Sequence, residues 1–467
     1  MYDDRPVKQM LYPALGFLLV GLLVAIYISI NGFLIPDYFS GEYITFGRIR
    51  PVHVGVVTLL WLLSADMALV YYFVPRLCGV SLWSYKLATI TSWIWWPALI
   101  LGVFSFPFGT NFGWEYAELP MTILRYIPIK ALVFVAWALF SVNLFMTIFK
   151  RKHKKMYVSL WYVMATLLWT TIVYFVGNFL ILWMPMGISR VNTSFFFVHN
   201  LVGLIFTPMG LATAYYFIPK LVNRPLYSHT LSMVGFWSIA FVYAWIGAHH
   251  MLHGPESQWL QTTSIIFSMW LIIPVWTVIV NFFGTLKQNW AAYSESAALR
   301  FLTVGVAFYL IVCLQGSLQS LRNVNEVISK TDWIIGHAHM SLLGTFTFFA
   351  IGGTYFVIPK IAKKPLWSEK LADWHFTLAL FGSVLMFVVL WIGGFKQGLQ
   401  WASWGTGNSY AEYHDNLSSL PFLKTIEEMW WWWFWRTMSG ILIFIGCALF
   451  VYNICNTLIL RRNLVET

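Results

Sequence analysis

Two histidines, two residues apart, interrupt an otherwise apolar run, Trp333-Ile-Ile-Gly-His337-Ala-His339-Met-Ser-Leu-Leu-Gly-Thr-Phe-Thr-Phe-Phe-Ala350. On a helix, positions i and i+2 point about 200° apart, so this segment offers a ligand atom on each of two opposite sides. Imidazole binds haem iron and copper, and an ionisable side chain inside a membrane span is a functional hypothesis by default because placing it there is expensive. Two cofactors flanking one helix is the chemical reading of the pair; two core histidines hydrogen-bonded to neighbouring helices is the plainer one. Further histidines bear on the choice. His53 opens the apolar run from Pro51 to Phe73, His199 lies in Phe195-Phe-Phe-Val-His-Asn-Leu-Val-Gly, and His249 and His250 follow Tyr243-Ala-Trp-Ile-Gly-Ala. Six of the 11 histidines thus sit at or inside apolar segments. Ligation to metals accounts for all six at once, because it removes lone pairs that hydrocarbon would leave unsatisfied.

The elements that must position them follow from composition. A chain of 467 residues that is 59% hydrophobic, 19% aromatic and only 10% charged is polytopic and all-α, since soluble chains carry roughly a quarter of charged residues. Twelve stretches are long enough to cross about 30 Å of hydrocarbon. They run approximately 9–31, 52–75, 87–108, 127–149, 157–183, 194–219, 230–251, 258–285, 299–322, 332–360, 372–395 and 432–460. Little chain is left for a soluble domain, no linker or soluble repeat is evident, and residues 1–467 read as one integral-membrane domain. The first stretch, after Met1-Tyr-Asp-Asp-Arg-Pro-Val-Lys8, reads as a retained span.

Nineteen of the 29 Lys and Arg residues fall on the side carrying both termini, which the positive-inside rule places in the cytoplasm. The net charge of +11 is therefore a topology signal, with no basic stripe left over for nucleic acid. On this map His53, His199, His249, His250, His337 and His339 all lie toward the non-cytoplasmic end, as a shared metal centre requires. His153 and His229 fall in basic loops and His414 in an acidic outer loop, where solvated side chains are the better reading; His253 and His375 stay open. Cys78, Cys313, Cys447 and Cys455 show neither a disulfide framework nor a Cys-x-x-Cys motif, and no Cys-x-x-Cys-His haem attachment site exists.

With these residues laid out, the chain resembles subunit I of the haem–copper oxidases, and most closely the C-family, the cbb3-type cytochrome c oxidases. The resemblance rests on Phe46-Gly-Arg-Ile-Arg-Pro-Val-His53, Glu115-Tyr-Ala-Glu-Leu119, His199-Asn-Leu-Val-Gly203 with Tyr215-Tyr-Phe-Ile-Pro-Lys220, Tyr243-Ala-Trp-Ile-Gly-Ala-His-His250 and Thr331-Asp-Trp-Ile-Ile-Gly-His-Ala-His339, in that order along essentially the whole chain. It implies that His53 and His339 are axial ligands of a low-spin haem, that His337 is the proximal ligand of a high-spin haem, and that His199, His249 and His250 hold a copper, giving two b-type haems and one copper ion. A bis-histidine haem only relays electrons, whereas a five-coordinate iron beside a three-histidine copper leaves room for a diatomic ligand. Tyr243, nearly two α-helical turns before His249 and well round the helix from it, is implied to be bonded to His199 and to supply an electron and a proton when the O–O bond breaks; an ordinary buried tyrosine is the plainer alternative. Thr207, Tyr215 and Ser232 match a cytoplasmic proton path toward Tyr243, although hydroxyls in membrane helices commonly just bond a carbonyl. Arg50 and Arg436 are placed to pair with haem propionates, and Glu115 resembles a calcium ligand between them.

Two departures stand out. The family's glutamate near the high-spin haem is Gln315 here, a hydrogen-bonding group that cannot ionise, and the usual tryptophan pair before His199 is Phe195-Phe196. Trp430 to Trp433 with Phe434-Trp435 reads as an interfacial aromatic belt. The expected function is a respiratory-chain terminal oxidase subunit that reduces dioxygen to water with electrons from cytochrome c, passed through membrane-anchored c-type cytochrome subunits, with coupled proton transport. Its nearest rival is a nitric oxide reductase of the same superfamily, against which stand Tyr243 and the lack of a glutamate-rich segment after His199. A transporter with unligated histidine relays is the rival from another class.

Overall fold

The computed structural model describes residues 2–110, 119–123, 126–402 and 421–459. Among them twelve helices are long and apolar enough to span a membrane. These are α1 Arg5–Leu34, α2 Phe46–Cys78, α3 Tyr85–Phe108, α4 Ile129–Phe149, α5 Val158–Trp183, α6 Ile188–Val222, α7 His229–Met251, α8 Gln258–Lys287, α9 Ala297–Gln319, α10 Asp332–Ala362, α11 Glu369–Ala402 and α12 Trp430–Ile459. Each matches an apolar stretch expected from the sequence, because in hydrocarbon only a helix satisfies every backbone group within its own segment.

Three helices form the interior. The central windows of α2, α6 and α10 are 89%, 78% and 83% buried, against 33–61% for the other nine, so the helices carrying His53, His199, His337 and His339 are those walled in by the rest. Each contains a π-helical stretch just after its histidine: Val56–Leu63, Leu201–Phe206 and Met340–Thr347. Wider turns of this kind re-phase a helix and concentrate at functional sites. Here they let the histidine end and the tightly packed far half of one helix both face inward.

The bundle is an internal threefold repeat, which the sequence does not announce. After its π-helical stretch each inner helix ends in a proline and a cation, Pro75-Arg76, Pro219-Lys220 and Pro359-Lys360. Each then closes through a left-handed residue, Gly79, Asn223 or Lys363, at φ 66°, 54° and 55°. The next helix starts at Ser84, Ser228 or Ser368, whose backbone N–H donates to the side-chain oxygen of Asn143, Asn281 or Asn453 at 3.0 Å in every case. That amide returns a 2.8 Å bond to the serine carbonyl. A threonine one turn on, Thr147, Thr285 or Thr457, accepts the preceding N–H at 3.0 Å. The units are α1–α4, α5–α8 and α9–α12. Their likeness resides in a few polar atoms at helix ends, where orphan donors must be capped, and the lipid-facing residues between are free to differ.

Candidate metal centre

The ends of α2, α6, α7 and α10 away from the chain termini bring all six histidines into one layer. His199 on α6 and His249 and His250 on α7 form a cluster whose ligand atoms lie within 4.8 Å of one another. His199 Nδ1 and His250 Nε2 are 3.0 Å apart. The rings of His199 and His249 stand nearly perpendicular with centroids 4.8 Å apart. Ser268 on α8 sits 2.7 Å from His249 Nδ1, which turns the Nε2 of that ring toward its neighbours. His199 Nε2 is buried and has no hydrogen-bond partner. An apolar core does not gather three imidazoles edge to edge without something for their lone pairs to bind.

α10 supplies the opposed pair. His337 Nδ1–H donates to Gln315 Oε1 on α9 at 3.3 Å, and His339 Nδ1–H donates to the Ile335 carbonyl at 2.8 Å. His53 Nδ1–H donates to the Gly21 carbonyl on α1 at 3.1 Å. In all three rings the Nδ1 bond fixes the tautomer and leaves Nε2 as the free ligand atom, the usual way a second shell aims a metal-binding imidazole. His53 and His339 face each other with ring centroids 6.4 Å apart and planes within 16°. His337, on the other side of α10, lies within electrostatic reach of His199 and His249. Ala338 between them is exposed and both flanking histidines are only half-buried, in a helix whose further turns are closed, so both faces border open space inside the bundle.

Tyr243 differs from its sequence reading in backbone and agrees with it in place. The segment is not an α-helix: Tyr243–Trp245 and Gly247–Met251 are 3₁₀ turns, with Ile246 N–H bonding Tyr243 O at 3.4 Å and His249 N–H bonding Ile246 O at 3.0 Å. Three residues per turn bring positions six apart into line, so the angular offset from His249 that an α-helix imposes does not apply. The Tyr243 ring nevertheless stacks on His199, with centroids 5.0 Å apart and planes at 30°. It can do so because Gly203, one turn after His199, has no side chain; a Cβ there would fall inside the phenol ring. Gly203→Ala is therefore expected to push the phenol off His199 and, since misplacements of about 1 Å at a reacting group cost about 100-fold in rate, to lower turnover to that extent with the metal content unchanged. Activity and metal analysis of the purified variant check this.

The other expected residues are placed unevenly. Thr207 is buried beside Tyr243. Tyr215 is fully buried with its hydroxyl unpartnered, its ring 5.7 Å from that of Tyr162, while Ser232 spends its hydroxyl on the His229 carbonyl at 2.6 Å. The Thr207 side chain is within hydrogen-bonding reach of Tyr243, whereas among the described residues no direct hydrogen bond joins Tyr215 or Ser232 to Tyr243 or to each other. Arg436 is deep in the bundle over the Phe33 ring at 4.4 Å, with Nη1 unpartnered, and Arg50 lies one turn before His53. Glu115 and His414 fall outside the described residues. His375, left open by the sequence, is no part of this layer: its Nδ1 is 2.9 Å from the Tyr355 hydroxyl near the opposite end of the bundle. Ser268 has no sequence signature, and Gly203, although it lies in the His199-Asn-Leu-Val-Gly203 segment, shows nothing of its role there, since each acts only through a neighbouring helix.

Comparison with known proteins agrees with this arrangement. Residues 5–442 match the family model described as cytochrome c and quinol oxidase polypeptide I. The chain is 32% identical to the cbb3-type cytochrome c oxidase subunit CcoN1 of Stutzerimonas stutzeri, over 98% of this chain and 95% of that one. It is 23% identical to a nitric oxide reductase chain of the same organism, over 94% and 90% of the two chains. A solved heme-copper terminal oxidase dimer shares the fold with a TM-score of 0.76 at 15% identity, covering 98% of this chain and 84% of that one. Twelve helices, an inner trio bearing opposed and clustered imidazoles, and a full-length family match together place the chain in the cytochrome c and quinol oxidase polypeptide I family, as a subunit I of the haem–copper oxidases.

Proposed function

We propose that this chain is the catalytic subunit of a cbb3-type cytochrome c oxidase of a bacterial inner membrane, reducing dioxygen to water with electrons from cytochrome c delivered through membrane-anchored c-type cytochrome partners, and conserving energy by proton translocation. The observation that carries the reading is the pairing of a three-imidazole cluster with a fourth imidazole across from it, beside a separate facing pair. The residues fit the groups the family binds. Imidazole nitrogens bind metals at about 2 Å, so two such bonds plus the ring radii span about 6 Å, close to the 6.4 Å between the His53 and His339 centroids. Those two would hold a low-spin b-type haem and His337 a high-spin one, each through the Nε2 that its Nδ1 bond leaves free. A copper would be held by His199 Nδ1, His249 Nε2 and His250 Nε2, an assignment that respects the Ser268 bond to His249 Nδ1 and the close approach of His199 Nδ1 to His250 Nε2.

When bound, a haem iron held by His337 and a copper held by His199, His249 and His250 would supply the redox chemistry that reduces dioxygen. The chain does the rest. Tyr243 gives up its hydroxyl proton and one electron when the O–O bond breaks. Thr207 stands beside that hydroxyl and Tyr215 further toward the cytoplasmic end, a route for its replacement through water with Ser232 at the start. Arg436, half-buried with its Nη1 unpartnered, and Arg50, one turn before His53, would offer charge and donors to haem propionates. The supporting calcium at Glu115 is part of the same proposal.

The deciding experiment is metal analysis of the purified protein with turnover on dioxygen and on nitric oxide. Two irons to one copper and rapid dioxygen consumption support the reading; iron without copper, with nitric oxide the better substrate, sinks it in favour of the reductase. Gln315 gives a second expectation. A neutral amide accepting from His337 Nδ1–H stabilises the oxidised iron less than a carboxylate there would. Gln315→Glu should therefore lower the high-spin haem potential in a redox titration at high pH. The gap should close at low pH, where the acid is protonated and neutral; a wild type below the variant at high pH contradicts it.

A further inference from the structure

The 18 acidic residues of this chain avoid the membrane, with one exception. Asp332, Glu369 and Asp373 lie in the first turns of α10 and α11, and the rest lie at the chain termini, in connecting segments or in the short helices between spans, except Asp66, which is in the middle of α2. Asp66 is 1% exposed, every residue from Val70 back to Leu59 is buried with it, and both of its carboxyl oxygens lack a hydrogen-bond partner. The oxidase chemistry proposed above makes no use of it. Packing does not explain it either, since a leucine would fill the place without the desolvation cost of several kcal/mol that a carboxylate carries in such surroundings.

Helical periodicity locates the group. Asp66 is two turns before Phe73 on one face of α2, and Phe73 stacks on Tyr216 of α6 with centroids 5.1 Å apart. Asp66 therefore faces α6, on the side where Thr213 has a buried hydroxyl without a partner. Two further buried hydroxyls without a partner, Tyr162 and Thr170, lie on α5, which packs against α6. Buried polar groups without protein partners are met by water. Four such groups, Asp66, Thr213, Tyr162 and Thr170, lie on three mutually packed helices and offer partners to bound water. The titratable group that meets this face of α2 from α6 is Tyr216, Tyr355 of α10 is turned instead to His375 and Phe450, and no described lysine or arginine forms an ion pair with Asp66.

We infer that Asp66, a lone carboxyl facing α6 in mid-membrane among unpartnered hydroxyls, is a proton-holding site of this protein that takes up and releases a proton through bound water as the haem centres are reduced and reoxidised. The proton leaves the carboxyl to water and returns from it, one O–H bond broken and one formed each time, with no other bond changed. The redox link rests on the oxidase reading; the protonated carboxyl itself does not.

Infrared difference spectroscopy of the intact, metal-loaded protein tests both parts. The reduced-minus-oxidised spectrum should contain a band in the C=O stretching region of protonated carboxyls. It should shift in heavy water and, in wild-type protein grown on aspartate labelled at the side-chain carboxyl carbon, shift again. The band should be lost in Asp66→Asn and displaced in Asp66→Glu. Absence of any aspartate-derived band in a sample whose haems reduce normally, or a band unmoved by either substitution, overturns the inference. The labelled wild type decides the matter even if neither variant assembles. Normal haem reduction and dioxygen turnover in the same samples separate failure here from failure of the oxidase reading, since a protein without those spectra refutes the latter first.

Discussion

Replacing Tyr243 by phenylalanine is expected to lower dioxygen turnover by at least about 100-fold, the usual weight of a positioned proton donor, while both haem spectra and the copper content stay as in the wild type. The phenol ring is held from two sides, stacked on His199 at 5.0 Å between centroids and lodged where Gly203 leaves room, so phenylalanine keeps the packing and removes only the hydroxyl. A pure packing role would leave turnover untouched. The same stacking brings the phenol beside a ring whose Nε2 has no hydrogen-bond partner. If the two rings are covalently joined during dioxygen turnover, one hydrogen leaves each ring as the bond forms, and digestion should give a cross-linked peptide pair carrying both residues, two hydrogens lighter than the separate peptides. Recovery of only separate peptides from active protein would remove the cross-link and leave the proton-donor role standing.

What the sequence makes legible here depends on range. Twelve spans are readable because a helix in hydrocarbon must be long, apolar and self-satisfied, properties local to about 20 residues. The opposite placement of His337 and His339 is equally local, and it survives because Asp332–His339 is regular α-helix. Tyr243 shows the limit. A local backbone choice, 3₁₀ turns in place of α, overrides the angular estimate, yet Tyr243 still reaches His199 because that contact is set by α6, through Gly203. The π-helical stretches and the serine–asparagine clasps lie further out of reach. The former become favourable only where surrounding helices hold the re-phased turn, and the latter join residues 53 to 85 positions apart through one reciprocal pair of hydrogen bonds each. Asp66 is the opposite case: a charge in mid-span stands out in the sequence itself, and only its lack of any partner, visible in three dimensions, separates a site from an ordinary buried ion pair.

Substituting His53 by alanine should abolish the low-spin haem signal altogether and leave a carbon monoxide-reactive high-spin haem in the assembled protein. The reasoning runs from the layout of α10. His337 and His339 project to opposite sides of one helix, so a ligand lost from the His339 side leaves the other side's second-shell bond, His337 to Gln315, intact. His53 comes from α2 and is the only imidazole that faces His339, 6.4 Å away and nearly parallel, among the described residues. Its own orientation depends on the Gly21 carbonyl of α1, so the pair is clamped between two repeats of the bundle and does not share parts with the three-imidazole cluster. His337→Ala should give the mirror result, with carbon monoxide binding lost and the low-spin spectrum retained. Dioxygen turnover should vanish in both, because one variant cannot deliver electrons and the other cannot bind the substrate. Optical spectra of the two reduced variants with and without carbon monoxide distinguish these outcomes. Loss of carbon monoxide binding in His53→Ala with its low-spin spectrum intact would exchange the two faces of α10 and overturn the whole assignment.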